Sequence, residues 1–256
     1  MQTTHSSRHG NKHGFPYFSV VIPTLNEEKL LDAMLRQFTP DVIRNHDLEI
    51  VVSDGGSRDE TVAIARMYAH TVVENPGRKK QTISIGRNIG AEHARGEVLI
   101  FLNADTLIQN IEEFFQTAER EIQADDIAAL TCSVAVYPHE ERKVDVWFHG
   151  FYNWFFYMMN RTGMAMGRGE CHIIKRSVFE RVKGYAPRIA AGEDYDMFRR
   201  LDKVGRVKFL RDIVVYESPR RYRKYGYAYV TASWFLNFLS VFFLRRSILS
   251  EWKPVR

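Results

Sequence analysis

The sequence predicts a single α/β domain whose sheet is mainly parallel. In the first half of the chain, short apolar runs that are typical of buried strands alternate with stretches of helical periodicity. Strands separated by helices form right-handed βαβ units, and such units build parallel sheets covered by helices. The 256 residues are 45% hydrophobic and 26% charged, which is typical of a folded domain and excludes a disordered chain.

The first half contains four predicted strands, at residues 18–22, 48–52, 71–73 and 98–102. Asn26 is expected to cap the helix that follows the first strand. Ser57 and Glu60 have the spacing of a capping box and predict the start of the next helix. A further helix is predicted over residues 84–94. The plan of this half is Rossmann-like.

The second half is less regular, and it shows no internal repeat and no low-complexity linker. Helices are predicted over residues 111–122 and 193–204, and strands over residues 128–136, 171–174 and 214–216. Ser177 and Glu180 repeat the capping-box spacing. We assign residues 15–226 to one domain. The polar residues 1–14 before it are expected to be a disordered tail.

Charge and cysteine content restrict the class of protein. The chain has 36 basic and 31 acidic residues, a net charge of +5, which suits an acidic partner such as a nucleotide, a nucleic acid or an anionic lipid surface. Two cysteines cannot form a disulfide framework, which favours a reducing compartment. The first residues contain no apolar run typical of a signal peptide. We therefore expect a cytoplasmic protein.

Acidic residues at predicted element ends are the first candidates for chemistry. Asp54 and Asp105 follow the second and fourth strands, and ligands of parallel sheets lie beyond the carboxyl ends of strands. Each is equally well explained as a turn or helix-capping aspartate. Glu193 and Asp194 stand at a predicted helix start, where they offset the helix dipole or, alternatively, supply a general base.

Two common nucleotide-binding motifs are absent from the sequence. No G-x-G-x-x-G follows the first strand, where the chain reads PTLNE at 23–27, and no P-loop motif occurs. A dinucleotide oxidoreductase and a P-loop nucleotidase are therefore disfavoured. The glycine-rich residues 163–169 are more typical of a flexible connection than of a phosphate site. The basic clusters at 78–80 and 220–224 are either solvated surfaces or sites that neutralise a diphosphate or nucleic-acid phosphates.

Five segments, in this order, resemble the family 2 glycosyltransferases of the GT-A fold. They are VVIPTLNE at 20–27, VVSDGGS at 51–57, GRNIGA at 86–91 with RGE at 95–97, FLNADT at 101–106, and VKGY at 182–185 with GED at 192–194. The likeness covers residues from about 18 to 223. It implies inverting transfer of a sugar from a nucleoside-diphosphate sugar to a hydroxyl acceptor.

The resemblance also implies a role for each matching residue. Asp54 would contact the donor base, and Arg87 would lie near the diphosphate. Asp194 would be the catalytic base, and Glu193 would orient the acceptor or the helix start. Asp105 would bind the metal. The other implied donor-site residues are Pro23, Thr24, Asn26, Glu27, Asn103, Ala104, Arg220 and Arg223.

The sequence departs from the family pattern at the D-x-D element, which reads Asn103-Ala104-Asp105. The first carboxylate is thus an amide, which brings no negative charge. Asp105 would then be the main protein ligand of Mn²⁺ or Mg²⁺, with diphosphate oxygens as further ligands. Processive synthases carry a Q-x-x-R-W element on a membrane-embedded chain. Here RRYR at 220–223 stands in that region without a bundle of spanning helices after it, so non-processive transfer is expected.

The uncharged residues 227–244 predict an amphipathic helix, in which Ser233, Asn237 and Ser240 share one side. We expect residues 227–256 to bind the interface of a membrane as a peripheral anchor. Docking on the catalytic domain or on a dimer partner is the alternative. The acceptor is then expected to be lipid-linked, and the enzyme to work at the cytosolic face.

Three other functions remain open at this point. The amide at Asn103, in place of a carboxylate, is compatible with a degenerate glycosyltransferase-like scaffold that binds a nucleotide without turnover. A sugar-phosphate nucleotidyltransferase is expected to have a glycine-rich basic loop directly after the first strand. Residues 23–27 do not form such a loop. A nucleic-acid-binding module would leave Asp54, Asp105 and Asp194 without a role, so a nucleic-acid partner is not expected.

Overall fold

The computed structural model describes residues 14–75, 81–189 and 191–244, with side chains to residue 241 in the last range. The tail expected at residues 1–14 lies outside the described residues except for Gly14. The basic cluster at 78–80 and residues 245–256 also lie outside them.

A mixed sheet of eight strands forms the centre of the described chain. The strands are β1 (Phe18–Thr24), β2 (Leu48–Asp54), β3 (Thr71–Glu74), β4 (Val98–Leu102), β5 (Leu107–Ile108), β6 (Ile127–Val136), β7 (Cys171–Lys175) and β8 (Arg206–Glu217). Their order across the sheet is β3-β2-β1-β4-β7-β6-β8-β5. Strands β3, β2, β1 and β4 run parallel, as do β6 and β8. Strand β7 is antiparallel to both of its neighbours, and β5 is antiparallel to β8.

Helices cover the sheet. They are α1 (Leu31–Leu35), α2 (Pro40–Asn45), α3 (Thr61–Tyr68), α4 (Ile83–His93), α5 (Ile111–Ile122), α6 (Lys143–Arg161), α7 (Arg176–Arg181), α8 (Glu193–Leu201), α9 (Arg220–Tyr225) and α10 (Tyr227–Leu244). The predicted α/β class is confirmed, and the four strands predicted in the first half are all present. The antiparallel pairings belong to the second half, where the predicted periodicity was weakest.

The three predicted helix caps are wrong, because α1, α3 and α7 begin after Leu30, Glu60 and Lys175 instead. Asn26 has a φ of 50°, and its side-chain oxygen accepts a hydrogen bond from the backbone N–H of Arg58 at 2.7 Å. It joins the turn after β1 to the loop after β2 instead of starting α1. The hydroxyl of Ser57 donates to Asp54 at 2.5 Å. Ser177 lies inside α7, not before it.

The sheet has an apolar layer on each face, because successive strand residues point to opposite sides. Val20 and Ile22 of β1 pack in the layer that contains α1, α3 and α5, whereas Val21 packs in the layer that contains α4, α7 and α8. Helix α4 lies very close to β1. A Cβ added to Gly90 would stand 2.4 Å from Cγ1 of Val21, so only glycine permits this approach.

Helix α10 packs on α8 and α9 with its polar stripe turned inward. Asn237 and Ser240 are buried, whereas Tyr229, Phe235 and Leu236 are exposed. The helix thus uses its few polar side chains on the domain and leaves apolar side chains on the outside. Within the described residues, no helix is long and apolar enough to cross a membrane.

Candidate active site

A cavity of about 400 Å³ lies at the edge of the sheet where β1 and β4 end. Because β1, β2 and β4 are parallel, their carboxyl ends meet at this edge, where ligands of such sheets bind. The cavity is lined by ten of the sequence-predicted site residues: Pro23, Thr24, Glu27, Arg87, Asn103, Ala104, Asp105, Glu193, Asp194 and Arg220. Asn26, Asp54 and Arg223 are not among its lining residues.

Asp54 is buried beside the cavity and holds the turn that follows β2. Its carboxylate accepts hydrogen bonds from the hydroxyl of Thr24 at 3.0 Å and from the backbone N–H groups of Gly56 and Ser57 at 2.9 and 2.8 Å. These contacts match the turn interpretation of this aspartate. Contact with a donor base remains a prediction.

Arg87, on α4, is a fully buried guanidinium that joins three parts of the site. It donates to Glu193 Oε1 at 2.8 Å, to Asn103 Oδ1 at 3.1 Å and to the carbonyl oxygen of Gly169 at 2.5 Å. It also lies over the ring of Tyr185, 5.1 Å from the ring centroid. Arg87 thereby ties the end of β4 and the start of α8 to the connection before β7.

Glu193 and Asp194 begin α8, and their side chains have different surroundings. Gly192, before them, has a φ of 77°, a backbone conformation that favours glycine. The carboxylate of Glu193 is paired with Arg87, whereas Asp194 lines the cavity and accepts only a backbone hydrogen bond, from Tyr195, among the described contacts. Burial and the nearby carboxylate of Glu193 raise the pKa of Asp194 well above the ordinary carboxyl value. A carboxyl group with such a pKa suits proton exchange near neutral pH.

Arg220, which also lines the cavity, connects two carboxylates. Its Nη1 and Nη2 donate to the two carboxylate oxygens of Glu27 at 2.8 and 3.0 Å, and Nη2 also donates to Asp105 Oδ2 at 3.2 Å. Burial raises the pKa of Asp105 to about 6, although the charge of Arg220 opposes this shift. The positive charge of Arg220 thus favours the ionised form of Asp105.

The carboxylates of Asp105 and Glu27, which share the guanidinium of Arg220, are the protein groups that could hold a divalent cation here. Across the residues the structure describes, no three His, Cys, Asp or Glu side chains form a metal-binding group. Further oxygen ligands would therefore have to come from a bound molecule. Oxygen ligands of this kind suit Mn²⁺ and Mg²⁺.

Sequence reasoning missed a second charged cluster around Arg168. This buried guanidinium donates to Nδ1 of His149 at 2.9 Å and to the hydroxyl of Tyr222 at 3.1 Å, and it pairs with Glu217. Burial lowers the pKa of His149, so its neutral ring can accept the bond. Two features of the sequence could have indicated this cluster. One is the arginine between two glycines in the connection that was expected to be flexible. The other is the carboxylate of Glu217 at the end of β8.

Aromatic residues also line the cavity. They come from α6, α8, α9 and α10, and they are Phe156, Tyr195, Tyr222 and Trp234. The guanidinium of Arg168 lies over the ring of Trp234, 5.4 Å from its centroid. Helix α10 therefore contributes directly to the site, through Trp234 and Asn237.

Arg223 lies outside this cavity. Its guanidinium donates to Oδ1 of Asp145 at 2.9 Å and to the hydroxyl of Tyr227 at 3.1 Å. Asp145 is fully buried at the start of α6, so Arg223 neutralises a carboxylate there. Contact of Arg223 with the donor is not visible in this arrangement and remains a prediction.

The model of the family described as Glycosyl transferase family 2 matches residues 19–183, more than half of the chain. A PGL/p-HBAD biosynthesis glycosyltransferase from Mycobacterium bovis (strain BCG / Pasteur 1173P2) is 34% identical over 106 residues, which cover 40% of this chain and 41% of the relative. The match thus spans about two fifths of the length of that relative.

Two solved structures share the fold. A mannosyltransferase from Pyrobaculum calidifontis in complex with GDP-Man and Mn²⁺ has a TM-score of 0.70 and 22% identity, over 91% of this chain and 65% of its own. Glucosyl-3-phosphoglycerate synthase from Mycobacterium tuberculosis, in complex with Mn²⁺, UDP and glucosyl-3-phosphoglycerate, has a TM-score of 0.61 and 16% identity, over 90% of this chain and 80% of its own. The architecture is therefore the GT-A fold.

Proposed function

The chain belongs to glycosyl transferase family 2, and from that premise we propose that it transfers a sugar from a nucleoside-diphosphate sugar to a hydroxyl acceptor with inversion. The observation that carries the proposal is the position of Asp194. Its carboxyl group lines the same cavity as Asp105 and Arg220. In the proposal, one cavity thus holds a base and a diphosphate-binding site around the reacting sugar.

In the proposed reaction, Asp194 takes the proton of the acceptor hydroxyl. At the same time, the oxygen of that hydroxyl forms a bond to the anomeric carbon. The bond from that carbon to the diphosphate breaks, and its electron pair leaves with the diphosphate. Attack opposite the leaving group inverts the anomeric centre. Arg220 stabilises the negative charge of the leaving diphosphate. A divalent cation at Asp105, when bound, would add Lewis-acid stabilisation of the same charge.

The other predicted residues are assigned supporting roles. Glu193 holds Arg87, and Arg87 holds the amide of Asn103 at the end of β4. Pro23, Thr24, Asn26 and Ala104 shape the donor side around the turn held by Asp54. A degenerate scaffold that only binds a nucleotide would not need the carboxyl group of Asp194 in the cavity. We favour an enzyme because Asp194 lines the cavity. Single, non-processive transfer is part of the proposal.

The test is Asp194→Asn, measured with a panel of nucleoside-diphosphate sugars. General-base catalysis contributes about 10²–10⁴-fold, so release of nucleoside diphosphate should fall by that factor. Binding of UDP or GDP in the presence of Mn²⁺ should be unchanged, because the described contact of Asp194 is with the backbone of Tyr195 and not with Asp105 or Arg220. Asp125→Asn, at an exposed position before β6, is the matched control. Wild-type turnover in Asp194→Asn would exclude this residue as the base. If the wild-type protein binds no nucleoside diphosphate, the proposed function itself is wrong.

We also propose that the protein binds a membrane surface peripherally, at the cytosolic side, and acts on a lipid-linked acceptor. Helices α6 and α10 contact each other through Phe148, whose ring lies 4.6 Å from that of Tyr227 and 5.9 Å from that of Trp234. Their outward faces expose large apolar side chains, including Trp147, Phe151, Trp154, Phe235 and Leu236. Exposed patches of this kind mark interaction sites.

An anionic bilayer is the occupant that this patch fits best. Aromatic side chains suit the membrane interface, and the net charge of +5 favours anionic lipid. Trp234 and Asn237 bring the same helix to the cavity, so an acceptor in the membrane would be near the proposed base. The two cysteines, Cys132 and Cys171, are free and buried, which agrees with a reducing compartment.

A further inference from the structure

Arg220 lies where a cation is needed between two carboxylates. It bonds both oxygens of Glu27 at 2.8 and 3.0 Å and Oδ2 of Asp105 at 3.2 Å. We propose that Glu27 and Asp105 together form the divalent-cation site, and that the guanidinium of Arg220 occupies it until the cation and a diphosphate bind. This inference deepens the proposed function and rests on it for the diphosphate.

The first argument is the missing carboxylate of the D-x-D element. Asn103 brings no negative charge, and its Oδ1 already accepts a hydrogen bond from Arg87 at 3.1 Å. It is therefore poorly placed to coordinate a cation. Glu27, from the turn after β1, supplies a second carboxylate beside Asp105 in its place. The side chains of Glu27 and Asp105 are only 13% and 17% exposed, so both carboxylates are largely shielded from solvent.

The second argument is charge balance. Two partly buried carboxylates that share one donor repel each other unless a cation stands between them. Arg220 provides that cation here, with one positive charge against two negative charges. A divalent cation would neutralise both charges. It would also release a planar guanidinium, which is suited to bidentate bonds with phosphate oxygens.

The exchange makes an unusual prediction for Arg220. Without a nucleotide, its guanidinium competes with the metal ion, so removing it should tighten metal binding. With a nucleoside diphosphate, the displaced guanidinium bonds the diphosphate, so removing it should weaken the ternary complex. The sign of the effect therefore reverses when the nucleotide is added. A residue that only stabilised the fold would not produce this reversal.

The experiment is titration of the full chain with Mn²⁺, followed by the electron paramagnetic resonance signal of the free ion. The variants are Arg220→Gln and the control Lys224→Gln, which removes a positive charge from the same helix. If Arg220 holds the site nine-tenths of the time, Arg220→Gln should bind Mn²⁺ alone about tenfold more tightly. Lys224→Gln should match the wild type. With UDP or GDP added, Arg220→Gln should bind Mn²⁺ more weakly than the wild type.

The role of Glu27 is tested in the Arg220→Gln background. Adding Glu27→Gln, or Asp105→Asn, should abolish the gained affinity for Mn²⁺. Adding Glu28→Gln, at the neighbouring exposed carboxylate, should leave it intact. Arg220→Lys, which keeps the charge but cannot make the bidentate contact, should give an intermediate affinity. It also serves if Arg220→Gln folds poorly.

Two results would overturn the inference. One is unchanged or weaker Mn²⁺ binding by Arg220→Gln without a nucleotide. The other is a gained affinity that survives Glu27→Gln. The Mn²⁺-only arm needs no nucleotide and no acceptor, so it can succeed even where the proposed transferase activity fails. Failure of wild-type nucleotide binding would contradict the proposed function and the diphosphate-bound state of Arg220, whereas the exchange of Arg220 with the cation is decided by the Mn²⁺-only arm.

Discussion

Asp194 is a carboxyl group in surroundings that favour its neutral form. Burial and the carboxylate of Glu193 raise its pKa, and Arg87 offsets only part of this shift. The folded chain therefore holds this proton to higher pH than the unfolded chain does. Between the unfolded pKa, about 3.9, and the raised folded pKa, the free energy of unfolding falls as the pH rises. A residue that is suited to catalysis thus costs stability.

We expect Asp194→Asn to be more stable than the wild type at alkaline pH, since an amide has no charge to bury. The difference in Tm should grow from about pH 5 to about pH 8 and reach on the order of 5 °C. Thermal unfolding at a series of pH values measures it. The Asp125→Asn control should show no such trend. A constant difference, or lower stability at pH 8, would contradict the raised pKa.

Ten residues that the sequence singled out line the cavity, but the sequence did not show their partners. Asp105, Asp194 and Arg87 stand in recognisable motifs, and all three line the cavity. Arg168 stands in no such motif. Its partners His149 and Glu217 are distant in the chain and contact it only in the folded structure. Residue type and spacing cannot show contacts of this kind.

At the scale of elements, the close packing of α4 on β1 positions Arg87. Gly90 allows the approach, because any larger residue would meet Cγ1 of Val21. Arg87 lies one turn earlier on the same helix, so a displacement of α4 would move the guanidinium that holds Glu193 and Asn103. The distance between helix and sheet is thus part of the site geometry.

Gly90→Ala should lower the free energy of unfolding by about 1–3 kcal/mol, the usual cost of overpacking a core. Gly150→Ala is the matched control, because this glycine is also helical and a Cβ there would meet nothing within 4 Å. The control should be neutral or stabilising by up to about 1 kcal/mol. Chemical denaturation measures both. Equal effects of the two substitutions would show that the contact with Val21 does not matter.

Element types were easier to predict than element ends and directions. Helix α5 has the predicted bounds, because its period is regular and Asn110 caps it. Strand β5 has two residues, too few for a periodic signal, and β8 begins at Arg206 among charged side chains that hide its alternation. The direction of β7 depends on sheet pairing, which no local pattern encodes.

On the surface of the molecule, helices α6 and α10 expose a patch of large apolar side chains. Trp147 alone is 79% exposed. Burying one large apolar side chain contributes about 1.5–3 kcal/mol, so a few of them suffice for binding to a bilayer. Asn237 and Ser240 of α10 are buried against the domain, so these polar side chains do not interrupt the patch.

We expect the protein to bind vesicles that contain anionic lipid, and binding to weaken at high salt. Replacing Trp147, Phe151 and Phe235 together by Ser should reduce vesicle partition by more than about tenfold. Met67→Ser is the control, since Met67 is 66% exposed but lies on α3. Co-sedimentation measures the bound fraction. Equal partition of the triple variant, or a concentration-dependent dimer that the triple variant loses, would indicate a protein partner instead.

The ion pair between Arg220 and Glu27 joins positions 193 apart in the chain. A ribosome releases the N-terminal part first, and domains begin to fold as they emerge. Glu27 and Asp105 are therefore synthesised well before Arg220, which belongs to helix α9. Until that helix has emerged, the two carboxylates lack the guanidinium that balances their charge in the folded protein.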